Sequence, residues 1–356
     1  MLIYLASIAC IPIYHFFIRN RKWFVIVVTV HLFMLLALRD VSLGVDLPNY
    51  AGGYSYISSL SFGEVLQRLH LIDTAELIYP YSYESGYVLI NWLISAIGFD
   101  FHGFLVLHAA FCMIAFGWFV FRYSKIPWLS FMLFASLGMY FYLFGILRQT
   151  LALSVLLFAI PAILDKKRGK VILLIVIAFL IHRSAILFVF LYIFKERKMS
   201  RDVMTKYIVF CMIGLVLSPY IYRYAIVPVL SLFGKERYIE IQFTWNNQIL
   251  MMFAIALIIL LFVNFDMFQQ KATRLALWGF LLAFPVEIIG MCNDGFARSV
   301  QYYLIFICLL VPAVIDEYPD KRISGIAKFA VAVAVFLFAV YLLPSSYLVP
   351  YVLYHG

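Results

Sequence analysis

The sequence predicts an all-α, polytopic integral membrane protein. It would have about ten full spans plus one re-entrant helical hairpin (about eleven or twelve spans if short segments are counted), and large outer loops carrying an interfacial helix. Three observations predict this class. The 356 residues are 65% apolar and 13% charged, with a mean hydropathy of +0.99, whereas soluble domains are roughly 45–50% apolar and about 25% charged. Apolar runs follow one another with little chain between them, and about 20 apolar residues suffice to cross a bilayer. Clusters of Lys and Arg punctuate the runs. A large soluble catalytic domain and a nucleic-acid-binding domain are thereby excluded. A transmembrane barrel is excluded too, because its strands would alternate in polarity. The net charge of +9 reads as cationic loops retained in the cytoplasm.

The apolar runs lie at 2–18, 23–38, 103–121, 128–147, 149–164, 171–194, 203–222, 248–265, 275–292, 299–315 and 325–343. The first lacks a basic leader and ends in Arg19-Asn20-Arg21-Lys22, so it is expected as a span and not as a cleaved signal. Placing all the basic clusters inside puts both chain ends outside. It leaves 19 Lys and Arg against 7 acids on the cytoplasmic side and 8 against 10 outside, with Glu287 within a span. That asymmetry is what the positive-inside rule expects.

Two inferences follow from keeping this orientation. The run 171–194 has basic clusters on both flanks, so a hairpin with its apex at His182-Arg183-Ser184 returns the chain to the same side. Arms of about 11 residues rise roughly 17 Å and bring the apex near mid-membrane. The short segment 86–98 is expected in the outer interface. The outer loops are then 39–102 and 223–247. Within the first, Phe62, Val65, Leu66, Leu69 and Ile72 share a helical face, with Glu64, Gln67, Arg68 and Asp73 off it. Such a helix lies either on the membrane surface or over the spans. No repeat or linker interrupts residues 1–356, which are read as one transmembrane domain.

Ionisable residues within the membrane are costly and point to function. Here they share the outer side: Arg39 and Asp40 after the second run, Arg148 and Gln149 between two runs, His182 and Arg183 at the hairpin apex. Glu287, Asn293, Asp294 and Arg298 surround a later outer turn. Each also has a structural reading. Arg148 could snorkel or pair with a carboxylate, His182 could be a satisfied core histidine, Arg298 could pair locally with Asp294, and Glu287 follows the kink-forming Pro285. His15, His31 and His108 are assigned no role. The five cysteines have no metal-ligand spacing and behave as small apolar side chains. No phosphate-binding loop, dinucleotide fingerprint, zinc-protease motif or Asp-x-Asp pair is present. No cofactor or metal is therefore expected, and energy must come from a gradient or from an activated substrate.

Leu38–Tyr50 (LRDVSLGVDLPNY), Tyr83–Tyr87 (YESGY) with Asn91, Ile146–Ala152 (ILRQTLA), Phe179–Ala185 (FLIHRSA) and Arg298 with Tyr302 together resemble the ordered motifs of the EpsG family. That family belongs with the Wzy-type polysaccharide repeat-unit polymerases. Leu47 departs from the pattern, where Thr is more usual. The resemblance implies a bacterial inner-membrane glycosyltransferase whose active site faces the periplasm or outside. It would join undecaprenyl-pyrophosphate-linked oligosaccharides into O-antigen, capsule or exopolysaccharide. Its partners would be that lipid-linked substrate, the bilayer, and the flippase and chain-length regulator of the same pathway, with no nucleic acid. The chemistry fits: pyrophosphate is a good leaving group, and fixed cations can stabilise the charge it develops. Arg148, Arg298 and His182 are expected as the pyrophosphate clamp, with Arg39 secondary. Among Asp46, Asp40, Glu84 and Asp294, Asp46 ranks first as the base that activates the acceptor. Tyr50, Gln149, Arg183, Glu287, Asn293 and Tyr302 are further expected substrate contacts. A lipid-linked oligosaccharide flippase, a glycan ligase and an acyltransferase are the competing readings.

Overall fold

The computed structural model describes residues 1–67, 69, 83–232 and 239–355, without the side chains at 230, 232, 294 and 345. Every regular element among the described residues is helical. The helices α1 (Leu2–Phe17) and α2 (Arg21–Ala37) follow the first two runs. Asn20 separates them by capping α2, its side chain accepting from Lys22 N at 3.0 Å and Trp23 N at 3.2 Å. Such caps satisfy amides that the first turn leaves without partners. The outer loop then forms α3 (Leu47–Ser58), α4 (Phe62–Gln67) and α5 (Ser85–Ala96). A capping box opens α4, with Glu64 Oε2 accepting from both Ser61 N and Ser61 Oγ. Phe62 packs on Trp92 of α5 at 4.9 Å between ring centroids. The described part of the expected interfacial helix thus lies against another helix; Arg68, Ile72 and Asp73 fall outside the described residues.

Asp100 caps the long α6 (Phe101–Tyr123) by accepting from Gly103 N at 2.7 Å. The next two apolar runs are each broken. The first gives α7 (Pro127–Ser136), a turn in which Gly138 takes φ +87°, and a 3-10 turn at Phe141–Phe144. The second gives α8 (Leu147–Leu157) and α9 (Ile160–Leu164), with Pro161 in the first turn of α9, where proline is pre-organised. The helix α10 (Arg168–Ile181) ends where His182 turns extended, and a 3-10 turn Arg183–Phe188 leads to α11 (Val189–Phe194). The break falls at the expected apex.

The remaining helices are α12 (Arg201–Ile221), α13 (Val227–Leu232), α14 (Asn247–Phe262) and α15 (Lys271–Gly290). After them come the short α16 (Asp294–Ala297) and α17 (Gln301–Leu304), then α18 (Ile307–Asp316) and α19 (Lys321–Leu342). Among the described residues, five helical stretches are long and apolar enough to cross a membrane: Phe101–Tyr123, Arg201–Val229, Lys271–Gly290, Gly295–Asp316 and Lys321–Leu342. Phe210, Val216, Phe329 and Leu337 stand exposed on two of these, as side chains facing lipid would.

The chain divides into two compact units, Met1–Ile186 with Arg322–Gly356, and Leu187–Lys321. In the first, α2 packs on α6, α6 on α8, and α8 on α10. Arg21 ties α2 to the end of α6 through the carbonyls of Val120, Phe121 and Ser124, a favourable place for a cation at a helix C-terminus. At the other end of α2, Arg39 is fully buried, donating to the carbonyls of Leu36 and Leu143 beneath the Phe144 ring. There the C-terminal segment is pinned by Asp40 N to Val352 O and Tyr354 N to Leu38 O, each 2.9 Å. In the second unit α15 is central, with α11, α12, α14 and α18 around it. Tyr207 of α12 donates to Leu281 O at 2.8 Å, and Trp278 to Arg197 O at 2.8 Å.

One contact sets the geometry of the site. A Cβ on Gly86 would meet Leu180 O at 2.7 Å, so α5 crosses α10 backbone to backbone. Only glycine allows that approach without displacement. Gly86→Ala should therefore push α5 off α10 and destabilise the purified protein by about 1–3 kcal/mol, read as a lower thermal midpoint. Gly169→Ala, with open space around it, should leave the midpoint unchanged or raise it slightly.

Candidate functional site

The close crossing of α5 and α10 places Glu84 between three segments. Glu84 is extended, at the N-cap of α5, and does not cap its own helix. Its carboxylate points to α8 and α10. Oε2 accepts from Arg148 Nη1 at 2.7 Å; Oε1 accepts from His182 Nδ1 at 3.0 Å and from the Arg183 amide at 3.2 Å. That amide is available because His182 breaks the helix before it. Burial would raise the Glu84 carboxyl, but the His182 hydrogen bond and the Arg148 charge outweigh it and hold the group below the usual carboxylate range. Glu84 is therefore ionised at neutral pH.

Arg148 has a local reason to need this partner. Arg148 is the second residue of α8, where the positive end of the helix dipole disfavours it. Glu84 offsets that cost with a charge-assisted hydrogen bond. His182 closes the C-terminus of α10, where the dipole favours positive charge. Tyrosines wall the arginine: Tyr50 accepts from Arg148 Nε at 3.4 Å, and the guanidinium lies 5.1 Å from the Tyr83 ring centroid and 5.9 Å from that of Tyr50. Tyr50 and Tyr83 stack at 5.7 Å, and Tyr87 meets both at steeper angles. Gly53 leaves room for the Tyr83 ring. The Arg148 and His182 side chains are each 24% exposed, while that of Glu84 is 9% exposed. A buried anion thus presents two cationic or polar groups outward, an arrangement suited to an anionic ligand.

Of the residues expected from sequence, the structure brings together Arg148, His182, Glu84, Tyr50 and the Arg183 backbone. Gln149 is buried next to Arg148 in the chain. Asp46 is half-buried at the start of α3. Asp40 lies near the surface and accepts from Ser42 N at 2.9 Å; that bond holds its carboxyl below the usual range. Arg39 is spent on carbonyls, as above. The second unit holds the rest. Glu287 is buried and accepts from Asn246 Nδ2 at 2.6 Å and Gln248 Nε2 at 3.1 Å. Asn293 caps α16 through Gly295 N and donates to Glu240 O. Arg298 is exposed and Tyr302 fully buried; the Asp294 side chain falls outside the described residues.

Sequence reading missed Tyr83, Asn246 and Gln248. The first adjoins Glu84 in the Tyr83–Tyr87 motif, and the other two belong to an amide-rich stretch, Asn246-Asn247-Gln248, just ahead of an apolar run. His108, given no role, is buried and joins α6 to α8 through Leu147 O and Thr150 Oγ1, both at 3.1 Å.

These features define a helical, membrane-type protein with a part-exposed Arg–His pair fixed by one buried carboxylate. The model of the EpsG family matches residues 22–353, and the chain belongs to that family. Membership fits a polysaccharide polymerase working in a membrane. No curated protein and no solved structure matches the chain.

Breaking the ion cluster on one side should cost more than removing both charges. Glu84→Gln leaves Arg148 without its counter-ion and should destabilise the protein by about 1–3 kcal/mol. Adding Arg148→Met should restore at least half of the loss. Thermal unfolding of the single and double variants measures the coupling.

Proposed function

We propose that the protein polymerises oligosaccharide repeat units carried on undecaprenyl pyrophosphate, at the outer leaflet of the bacterial inner membrane, into a surface polysaccharide. The observation that carries this reading is the Glu84–Arg148–His182 cluster, an arginine and an imidazole, both partly exposed, held by one buried carboxylate. Basic loops kept in the cytoplasm put Arg148 and His182 in the outer half of the bilayer, in a chain of about ten spans plus a hairpin. Membership of the EpsG family supports the substrate class.

The reaction breaks the bond between the anomeric carbon and the lipid pyrophosphate as an acceptor hydroxyl attacks. Charge develops on the departing oxygen. Arginine suits it, with a planar fork that matches phosphate geometry. Held rigidly in a water-poor site, such a cation needs no reorganisation when the charge appears. Because pyrophosphate already activates the donor, no nucleotide and no divalent metal are required.

Cells carrying Arg148→Ala, His182→Ala or Arg298→Ala at normal protein levels should keep single repeat units and lose long chains, with extension reduced about 10²–10³-fold or more for Arg148→Ala. A glycan gel reads the pattern, and normal chains in all three variants would defeat the clamp. Chain extension by the purified protein should also survive a chelator; loss that a divalent ion restores would contradict the metal-independent mechanism.

A further inference from the structure

We infer that His182, oriented by Glu84, accepts the proton of the attacking acceptor hydroxyl, so that one carboxylate positions both the leaving-group cation and the base. This rests on the lipid-pyrophosphate reading above and assigns the acceptor half of the same reaction. It moves the base from Asp46, first by sequence, to a ring that sequence reading placed among the cations.

The geometry dictates the tautomer. Glu84 Oε1 lies 3.0 Å from His182 Nδ1, and an ionised carboxylate only accepts hydrogen bonds, so Nδ1 carries the proton. In the neutral ring Nε2 is then an acceptor. Among the described residues, no protein group hydrogen-bonds Nε2, and the side chain is 24% exposed. The backbone on both sides is fixed by His182 N to Ala178 O at 2.8 Å and Ala185 N to His182 O at 3.0 Å. Glu84 itself has its two oxygens occupied by three donors and is only 7% exposed. It is a positioning residue, and the ring it holds is the member open to substrate.

The step balances. The acceptor oxygen forms a bond to the donor's anomeric carbon, and the carbon–oxygen bond to pyrophosphate breaks. Its electron pair leaves with the lipid pyrophosphate, facing Arg148. The hydroxyl proton passes to His182 Nε2, and the resulting imidazolium is stabilised by Glu84 until the proton is lost to water or to the departing pyrophosphate. A carboxylate behind an imidazole does the same in serine hydrolases, fixing the ring and stabilising its charged form. Among the described residues, the charged groups that share this cluster with the ring are Glu84 beside α5 and Arg148 of α8, with Arg183 next in the chain; α9 (Ile160–Leu164) is wholly apolar. Tyr50 and Tyr83 stand around Arg148.

The test uses the purified full-length protein with lipid-linked repeat units extracted from cells lacking it, and reads the product ladder. A wild-type protein that makes no ladder overturns the lipid-pyrophosphate reading itself. With an active wild type, His182→Ala should lower kcat about 10²–10⁴-fold with KM for the extracted substrate within about threefold. Added imidazole should then recover about tenfold or more of the lost rate. Glu84→Gln should lower kcat with KM again within about threefold, because the amide no longer fixes the ring's tautomer as an acceptor-only carboxylate does. The inference is overturned if His182→Ala raises KM at unchanged kcat. It is equally overturned if that variant, folded as wild type by circular dichroism, gains nothing from imidazole, or if Glu84→Gln raises KM at unchanged kcat.

Discussion

A buried carboxylate must find donors for both of its oxygens, and the first unit is arranged around that requirement at Glu84. Three donors reach it from segments far apart in the chain: Arg148 is 64 positions away, His182 98 and the Arg183 amide 99. Two of the three would occupy their places less comfortably without the carboxylate. Arg148 opposes its own helix dipole, and the Arg183 amide is left over from a helix break. Local disadvantages thus become mutual satisfaction, and the Arg148 and His182 side chains stay partly exposed.

The apolar medium makes the arrangement both necessary and effective. Irregular backbone within a membrane is tolerated only where it is buried in protein or lines a cavity; here the helix ends before Arg148 and at His182 supply the donors of the cluster. The same low dielectric that penalises an unpaired charge strengthens a paired one. A cation held there acts strongly on charge that develops during reaction. The tyrosine wall adds to this: the rings of Tyr50 and Tyr83 present their faces toward the guanidinium, which favours a cation with little water competing. Arg39 shows the contrasting use of arginine. Its donors go to the carbonyls of Leu36 and Leu143, next to the backbone bonds of Leu38 and Asp40 that hold the C-terminal segment.

Most helices were legible as apolar runs because the cost of unsatisfied backbone in lipid leaves few alternatives to a helix. The runs at 2–18, 23–38 and 103–121 became α1, α2 and α6 almost residue for residue. The run at 128–147 did not, because Gly138 permits a turn that hydropathy does not register. The run at 149–164 gave way at Pro161 for the same reason: both residues are apolar by composition yet decisive for backbone geometry. The break at His182 was legible, since a polar triplet interrupted an otherwise apolar run.

Composition and charge order by themselves determined that this chain is helical and built for a membrane, and the spaced polar residues marked Arg148, His182 and Glu84 one by one. They did so because hydropathy and loop charge act locally, within a span or its flanks. Which carboxylate meets which cation was decided only by tertiary structure. The pairing depends on Gly86 letting α5 rest on the backbone of α10, a contact across nearly a hundred residues that no local pattern encodes.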